Sequence, residues 1–552
     1  MNGSMMHYQL TIPAMARRAE QLHPGRAIVA RLADRTIHRT TYGEVLGRAR
    51  RLIGALRGLG VRPGDRVATF CWNHHQHLEA YYGVPSMGAV LHPLNLRLHP
   101  DELTYIANHA GDKIVIVDGA LLPQLERFRS RIAAEHVIVV GGGTDIPPGA
   151  LDYEALIAAS DEVPFDDTID EWQAAAMCYT SGTTGRSKGV VYTHRSNVLH
   201  SLASGLWDLE FTRERDVILA VVPMFHANAW GLPYSALLHG ASQILPGPFL
   251  DAQSILDLMA AERVTMAAGV PTIWMGILQA LDATPHAWNL SALRTLVCGG
   301  ASVPESMIRA FQDRHGIRMH QAWGMTETSP LGSVATLAED IEGMDADVQY
   351  RFRATVGRPV PFVETRIRAG DVLAPWDGTT MGELEVRGPW VAASYYDNPD
   401  SADRFTDDGW FKTGDIVTID RRGYIMIRDR SKDVIKSGGE WISSVALENM
   451  LMQHPAVAEA AVIGLQHPQW DERPLAVVVK RPDRECSAEE LVQYLAPHFP
   501  KWWMPSGIEF VASIPRTSVG KFNKRAMREM YREYFASTRA PARDRTASTI
   551  TP

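Results

Sequence analysis

Tyr179-Thr-Ser-Gly-Thr-Thr-Gly-Arg-Ser-Lys-Gly-Val190 is the stretch on which the reading of this chain turns. Glycines let backbone N–H groups curl around phosphate oxygens, and the hydroxyls and Lys188 add further donors. It is not a Walker A loop, which needs Gly-Lys followed by Ser or Thr. Here Ser187 precedes Lys188 and Gly189 follows it. The flanks Ala174-Ala-Ala-Met-Cys-Tyr179 and Gly189-Val-Val-Tyr-Thr193 both read as strands, so no helix dipole meets the phosphate. Taken alone, the stretch also describes a Gly/Ser/Thr turn in a hairpin.

Upstream of the loop, helix-like and strand-like segments alternate. Thr41 to Leu59 has helical spacing, Asp65 to Cys71 follows as a short buried strand, and His77 to Gly88 reads as a helix. Ala89-Val-Leu91 and Lys113 to Asp118 are further strands. The rhythm returns between Ala252 and Cys298, predicting crossover units and a mainly parallel sheet. From about Val356 short β-rich pieces sit between Gly and Asp turns, as in an antiparallel, barrel-like module. A last α+β unit begins near Ser431; Ser487-Ala-Glu-Glu490 has capping-box spacing, and a charged helix is expected from Phe522 to Tyr534.

The chain has 552 residues, with Lys+Arg 55 against Asp+Glu 63 and a net charge of −8. That length suggests roughly three or four structural units, and the charge argues against a nucleic-acid-binding face. A composition 45% hydrophobic and 21% charged excludes disorder over most of the length. No apolar run approaches the roughly 18 residues of a membrane span. The start, MNGSMMHYQLTIPAMARR, lacks a signal-peptide pattern. Cys71, Cys178, Cys298 and Cys486 lie far apart without CxxC or Cys/His spacing, which disfavours a disulfide scaffold or a structural zinc site. A reduced, cytoplasmic enzyme is expected.

Four more motifs accompany the loop in order: Gln321-Ala-Trp-Gly-Met-Thr-Glu-Thr328, Lys412-Thr-Gly-Asp415, Asp429-Arg-Ser-Lys-Asp-Val-Ile-Lys-Ser-Gly-Gly-Glu-Trp441 and Pro515-Arg-Thr-Ser-Val-Gly-Lys-Phe522. With these the chain resembles the adenylate-forming (AMP-binding) superfamily, over about residues 10 to 535. It is most similar to bacterial medium- and long-chain fatty acid–CoA ligases, through Pro223-Met-Phe-His-Ala-Asn-Ala-Trp230, Leu245-Pro-Gly-Pro248 and Lys436 to Ser444. The resemblance implies an α/β fold. A large N-terminal domain, 1–428, would hold two parallel-type sheet subdomains and the barrel-like module. A hinge at 429–434, with Lys432 or Asp429 as pivot, would lead to a small mobile α+β lid, 435–536, before a disordered tail, 537–552.

The same resemblance assigns roles. Thr180, Ser181, Gly182, Thr183, Thr184, Gly185 and Lys188 would embrace the β- and γ-phosphates of ATP. Glu327, assisted by Thr180, would hold Mg²⁺, which usually takes one or two protein oxygens. Thr326 would donate to the α-phosphate, and Trp323, within Gln321, Ala322 and Gly324, would stack on adenine. Asp415 would accept from the ribose hydroxyls beside Arg430, with Lys432, Lys436 and Trp441 also at the nucleotide. Lys521 would bridge the carboxylate and the α-phosphate. Gly438, Gly439 and Glu440 would face the CoA arm. His226, Trp230, Gly269, Val270, Pro271, Gly299, Gly300 and Ala301 would wall the acyl pocket, His226 being counted with Glu327 and Lys521 as catalytic. Trp230 matches a tryptophan that closes the fatty-acid tunnel in similar ligases.

The implied reaction is ATP-dependent: carboxylic acid, ATP and CoA to acyl-CoA, AMP and diphosphate, by a possible homodimer. A smaller acid such as 3-methylmercaptopropionate, an aromatic acid, or a carrier-protein acceptor remain alternatives. A P-loop NTPase is disfavoured by the lysine placement. A non-catalytic relative would be expected to have lost Lys521, Glu327 or Asp415.

Overall fold

The computed structural model describes residues 3–141, 146–180, 186–206, 211–437, 440–482, 484–516 and 522–535. The chain divides into two compact units. One holds the chain up to Thr413 together with Val417–Ile427; the other holds Gly414–Ile416 and most of the chain from Arg428 onward. Among the described residues no helix is long and apolar enough to cross a membrane.

The larger unit is built on two sheets. One runs in the order Leu151–Asp152, His136–Val140, Asp112–Asp118, Arg66–Phe70, Val90–Pro93, Ala174–Tyr179, Gly189–Thr193. Its pairings are parallel except the last, where the two strands flanking the Gly-rich loop run antiparallel, Tyr179 opposite Gly189. The other sheet has nine strands. Its centre pairs Ser242–Leu245, Val217–Ala220, Met266–Gly269, Thr295–Cys298 and Arg318–Gly324 in parallel. Antiparallel strands finish both of its edges. The buried strands are Val-, Ile- and Ala-rich with no polar alternation, as expected where both faces are covered.

This arrangement places the motifs. In open parallel sheets the crevice lies at the carboxyl ends of the strands. The Gly-rich loop leaves the end of Ala174–Tyr179; Pro223–Trp230 follows Val217–Ala220. Gly269, Gly299–Ala301 and the Gln321–Glu327 motif stand at the ends of the next three parallel strands.

A buried polar lattice ties the sheets. Asn73, 3% exposed, donates from Nδ2 to the carbonyls of Ala220 (3.0 Å) and Val222 (2.8 Å) and accepts from Met224 N at 2.8 Å. Tyr81 donates to the Met224 carbonyl, and Gln243 Nε2 donates to the hydroxyls of Tyr42 and Tyr82, both at 2.8 Å. Each donor meets a group that would otherwise be buried unmet.

The β-rich module is a five-stranded sheet, Val372–Leu373, Glu364–Ala369, Gly382–Arg387, Phe411–Ile419, Ile425–Arg430, with its first pairings antiparallel. In the smaller unit the strands Glu440–Ile442, Ile435–Ser437, Asp471–Lys480, Val457–His467 and Gly507–Phe510 form one sheet. The capping box expected at Ser487 is present. Two helices differ from expectation. His75–Ser86 starts two residues early because the imidazole of His74 caps it, accepting from His77 N at 3.3 Å. The last helix spans only Lys524–Met530, started by the Asn523 side chain.

Burial lowers several histidines, most of all His75, to about 2, His77, to about 3, and His194 and His200, to about 4. His77 shows why. Its Nδ1 lies 3.0 Å from the Trp72 carbonyl and Nε2 2.8 Å from Thr69 Oγ1, an arrangement that uses both nitrogens of a neutral ring. On unfolding these groups regain an ordinary value near 6.5, so the unfolded chain takes up protons first as pH falls. Their stabilising contribution is full above pH about 6.5 and is lost towards pH 4, by about 1.4 kcal/mol per pH unit for each. The melting temperature should therefore fall steeply between pH 6.5 and 4.5; a flat profile there would contradict this account.

Candidate active site

Thr180 closes the neck of the Gly-rich loop. Its N–H donates to the Lys188 carbonyl (2.9 Å) and its Oγ1 accepts from Lys188 N (3.1 Å). Ser181, Gly182, Thr183, Thr184 and Gly185 lie outside the described residues. The Lys188 ammonium stands 4.9 Å over the ring centroid of Tyr395 and has no ion-pair partner among the described residues.

Glu327 lies on a 3₁₀ turn, Thr326–Thr328, at the end of Arg318–Gly324. It is 6% exposed. Its Oε1 accepts from the Tyr395 hydroxyl at 2.5 Å, and its Oε2 has no hydrogen-bond partner among the described residues. A buried carboxylate with one oxygen tied and one open fits a hard cation that takes one protein oxygen and completes its shell from phosphates and water. Thr326 is fixed through its carbonyl, which accepts from Tyr192 OH at 2.8 Å.

The turn depends on Gly324. A Cβ there would lie 1.5 Å from the Pro330 carbonyl oxygen, so the strand can reach the turn only with a bare Cα. Gln321 is buried, with its Oε1 unpartnered among the described residues. Ala322 pairs across to Val334. Trp323 is 6% exposed, its ring laid on the bare Cα of Gly332, so one indole face is covered by protein.

Of the proposed acyl residues, Trp230, Val270, Gly299 and Gly300 meet at the neighbouring strand ends. Trp230 stands over the Gly299–Gly300 turn: a Cβ on Gly299 would meet its ring at 3.2 Å and the Ala322 carbonyl at 2.9 Å, and a Cβ on Gly300 would meet Val270 at 3.4 Å. Gly269 lies against Trp274, and Pro271 opens the helix Pro271–Ala283. Ala301 is exposed. His226 lines a small cavity with His92, Asn95, Tyr179 and Phe225. After His226 the backbone turns left-handed for five residues: Ala227 (φ 44°), Asn228 (54°), Ala229 (52°), Trp230 (56°) and Gly231 (73°). Non-glycine residues resist this region by about 1–2 kcal/mol each. Asn228 is braced by the Cys178 thiol, which donates to its Oδ1 at 3.3 Å.

In the smaller unit Arg430 Nε lies 2.7 Å from Asp415 Oδ1, with Asp415 1% exposed. Lys432 and Lys436 are exposed; burial nonetheless lowers the Lys432 pKa. Lys436 pairs across a two-strand turn with Trp441, which is partly exposed. Gly438, Gly439 and Lys521 lie outside the described residues, and only the backbone of Glu440 is described. Asp429 is buried, accepting from Ser444 N at 2.6 Å and Arg430 N at 2.8 Å.

Sequence reasoning missed several supporting side chains. Asn73, Tyr192 and Tyr395 act across 134 to 151 residues in the first two cases and 68 in the third, and no local motif announces them. Lys524 also went unmarked; buried, it pairs with Glu448 at 2.7 Å and Ser444 at 2.6 Å beside Asp429. Burial pulls its pKa down, but Glu448 and Asp429 outweigh that and hold it raised.

A family model described as AMP-binding enzyme matches residues 16–396, and one described as AMP-binding enzyme C-terminal domain matches 446–521. A long-chain-fatty-acid–CoA ligase of Thermus thermophilus is 47% identical over 537 residues, covering 97% of this chain and 98% of its own. A 3-methylmercaptopropionyl-CoA ligase of Ruegeria pomeroyi is 43% identical (97% and 99% covered). A medium-chain-fatty-acid–CoA ligase of Ectopseudomonas oleovorans is 42% identical (96% and 98%). Among solved structures, ATP-bound MatB from Rhodopseudomonas palustris matches with a TM-score of 0.83 at 29% identity, over 95% of this chain and 100% of its own.

The Gly324 contact gives a direct test. Gly324→Ala forces the Pro330 carbonyl, and with it the Glu327 turn, to move. Thermal melting should show a destabilisation of about 1–3 kcal/mol, the range for overpacking; wild-type melting would show that the close approach is not real.

Proposed function

Because the chain belongs to the family of AMP-binding enzymes, and within it is an AMP-forming acid–thiol ligase, we propose that it joins a medium- or long-chain fatty acid to CoA at the expense of ATP. A carboxylate is a poor acceptor for a thiol because its carbonyl is electron-rich and oxide cannot leave. Attack of the carboxylate oxygen on the α-phosphorus forms an acyl-AMP anhydride and releases diphosphate. The CoA thiol then adds to the acyl carbonyl, and AMP leaves. Both steps demand positioning and charge neutralisation above all.

The observation that carries this reading is the pairing of charges at Tyr395. Lys188, at the end of the Gly-rich loop, and Glu327, on its turn, approach the same side chain, yet neither is neutralised by the other. Among the described residues a cation is thus left for the β- and γ-phosphates and a carboxylate oxygen for magnesium. When bound, Mg²⁺ supplies positive charge against the phosphate oxygens. Thr180 shapes the loop neck and Thr326 donates to the α-phosphate. The resemblance supports Trp323 as the neighbour of adenine, with Asp415 and Arg430 at the ribose hydroxyls. Lys521 brings a second cation to the reacting oxygen and phosphorus in the first step. The resemblance supports a hinge at 429–434, with Lys432 or Asp429 as pivot, and Gly438, Gly439 and Glu440 as the face that serves the pantetheine arm in the second step.

Trp230, resting on Gly299 and Gly300, supports a movable wall at the acyl end. Its displacement admits a long chain. The same observation favours a second reading, since with Trp230 in place the pocket suits a short acid such as 3-methylmercaptopropionate. Four free, buried cysteines support a reducing, cytoplasmic setting. A homodimer is the assembly that the family resemblance implies.

The deciding experiment measures AMP release with CoA across straight-chain, thioether and aromatic acids. We expect AMP and diphosphate, fastest with medium- or long-chain acids. Fastest turnover of the thioether acid would transfer the assignment to the second reading. ADP as product would overturn adenylation altogether.

A further inference from the structure

We propose that Tyr395 is the positioning residue of the nucleotide site: its hydroxyl orients Glu327 towards the metal while its ring seats Lys188 for the phosphates. The proposal rests on the reading of Glu327 as the magnesium carboxylate and names what aims it.

Tyr395 is 8% exposed and belongs to a segment, Trp390 to Tyr396, stitched to both motifs. Ala392 N donates to the Glu327 carbonyl at 2.7 Å and Tyr396 N to the Gly189 carbonyl at 2.9 Å. Ser329 Oγ donates to the Trp390 carbonyl at 2.7 Å, and Trp390 Nε1 to the Leu331 carbonyl at 2.8 Å. The segment therefore spans from the Glu327 turn to the strand that follows the Gly-rich loop. Within it Tyr395 reaches both charges.

The chemistry of a phenol suits that place. A buried carboxylate needs a donor on one oxygen to remain ionised, and a single O–H provides it while leaving Oε2 for a cation. A lysine or arginine there would also hold the carboxylate, but it would cancel the negative charge that magnesium requires. On the other side, the ring face attracts the Lys188 ammonium without a hydrogen bond, so its three N–H groups stay available. Donation from the hydroxyl to Glu327 moves electron density into the ring and strengthens that attraction.

The two arms can be tested separately. Tyr395→Phe removes only the hydroxyl. It should raise the Mg²⁺ concentration for half-maximal ATP–diphosphate exchange about 10-fold, the lower end for losing a partner of a metal ligand. Calorimetric binding of ATP in EDTA should stay within about two-fold of wild type. Tyr395→Leu removes the ring too and should weaken metal-free ATP as well. Glu327→Gln should shift the Mg²⁺ midpoint, and adding Tyr395→Phe to it should shift it no further. If Glu327→Gln shifts the midpoint and Tyr395→Phe does not, the positioning role is wrong. An unshifted Glu327→Gln would remove Glu327 as metal ligand, and the proposal with it. Equal loss of ATP binding with and without metal in Tyr395→Phe would show a purely structural role and overturn the proposal.

Discussion

A carboxylate withdrawn almost wholly from water is costly to keep in a folded chain, and Glu327 is such a group. In a site of low dielectric a charge is tolerated only with partners, yet full pairing would leave it nothing to offer a cation. The compromise is one phenol on one oxygen. Much of the larger unit can be understood as keeping that compromise in place. The parallel strand Arg318–Gly324 delivers the turn, the bare Cα of Gly324 lets it fold back on Pro330, Tyr192 fixes Thr326, and the Trp390–Tyr396 segment closes the other side.

The acyl end is held by different means. Five residues from Ala227 to Gly231 lie in the left-handed region, a cost of several kcal/mol that surrounding structure must offset. The three hydrogen bonds of Asn73 anchor the chain just before this turn, and the Cys178 thiol holds Asn228 within it. Cys178 lies on the strand that leads into Thr180. The strained turn is thus fastened to the same strand that presents the Gly-rich loop. Strain collects at the one segment that carries both His226 and Trp230.

Most of the architecture was legible in the sequence because it rests on local signals. Alternating apolar runs separated by helical spacing identified the parallel sheets, and the Ser487 box identified a helix start. His74 as a cap was not legible, since an imidazole is a rare substitute for a hydroxyl or carboxylate. The Phe522–Tyr534 helix was overestimated because charge and composition do not show where Asn523 begins the first turn and Tyr531 ends the last. At the site, the five ordered motifs pointed to adenylation through resemblance, and the structure brings Lys188 and Glu327 to one tyrosine, with Thr180 bonded to the Lys188 backbone. That tyrosine could not be read beforehand. Its role exists only where strands distant in sequence meet, and a Tyr-Tyr pair in a loop carries no periodicity. The left-handed turn was equally hidden: Ala-Asn-Ala-Trp has no glycine until its fifth position, Gly231, and nothing local predicts it.

All of this assigns one chemical event to the molecule, attack of the substrate carboxylate on the α-phosphorus. The most direct measurement supplies a fatty acid labelled with oxygen-18 in its carboxyl group, with ATP and CoA, and determines the label in AMP by mass spectrometry. The carboxylate oxygen that attacks phosphorus stays on it when the thiol displaces AMP, so the account predicts one labelled oxygen in AMP. Unlabelled AMP, or label in diphosphate or phosphate, would contradict it.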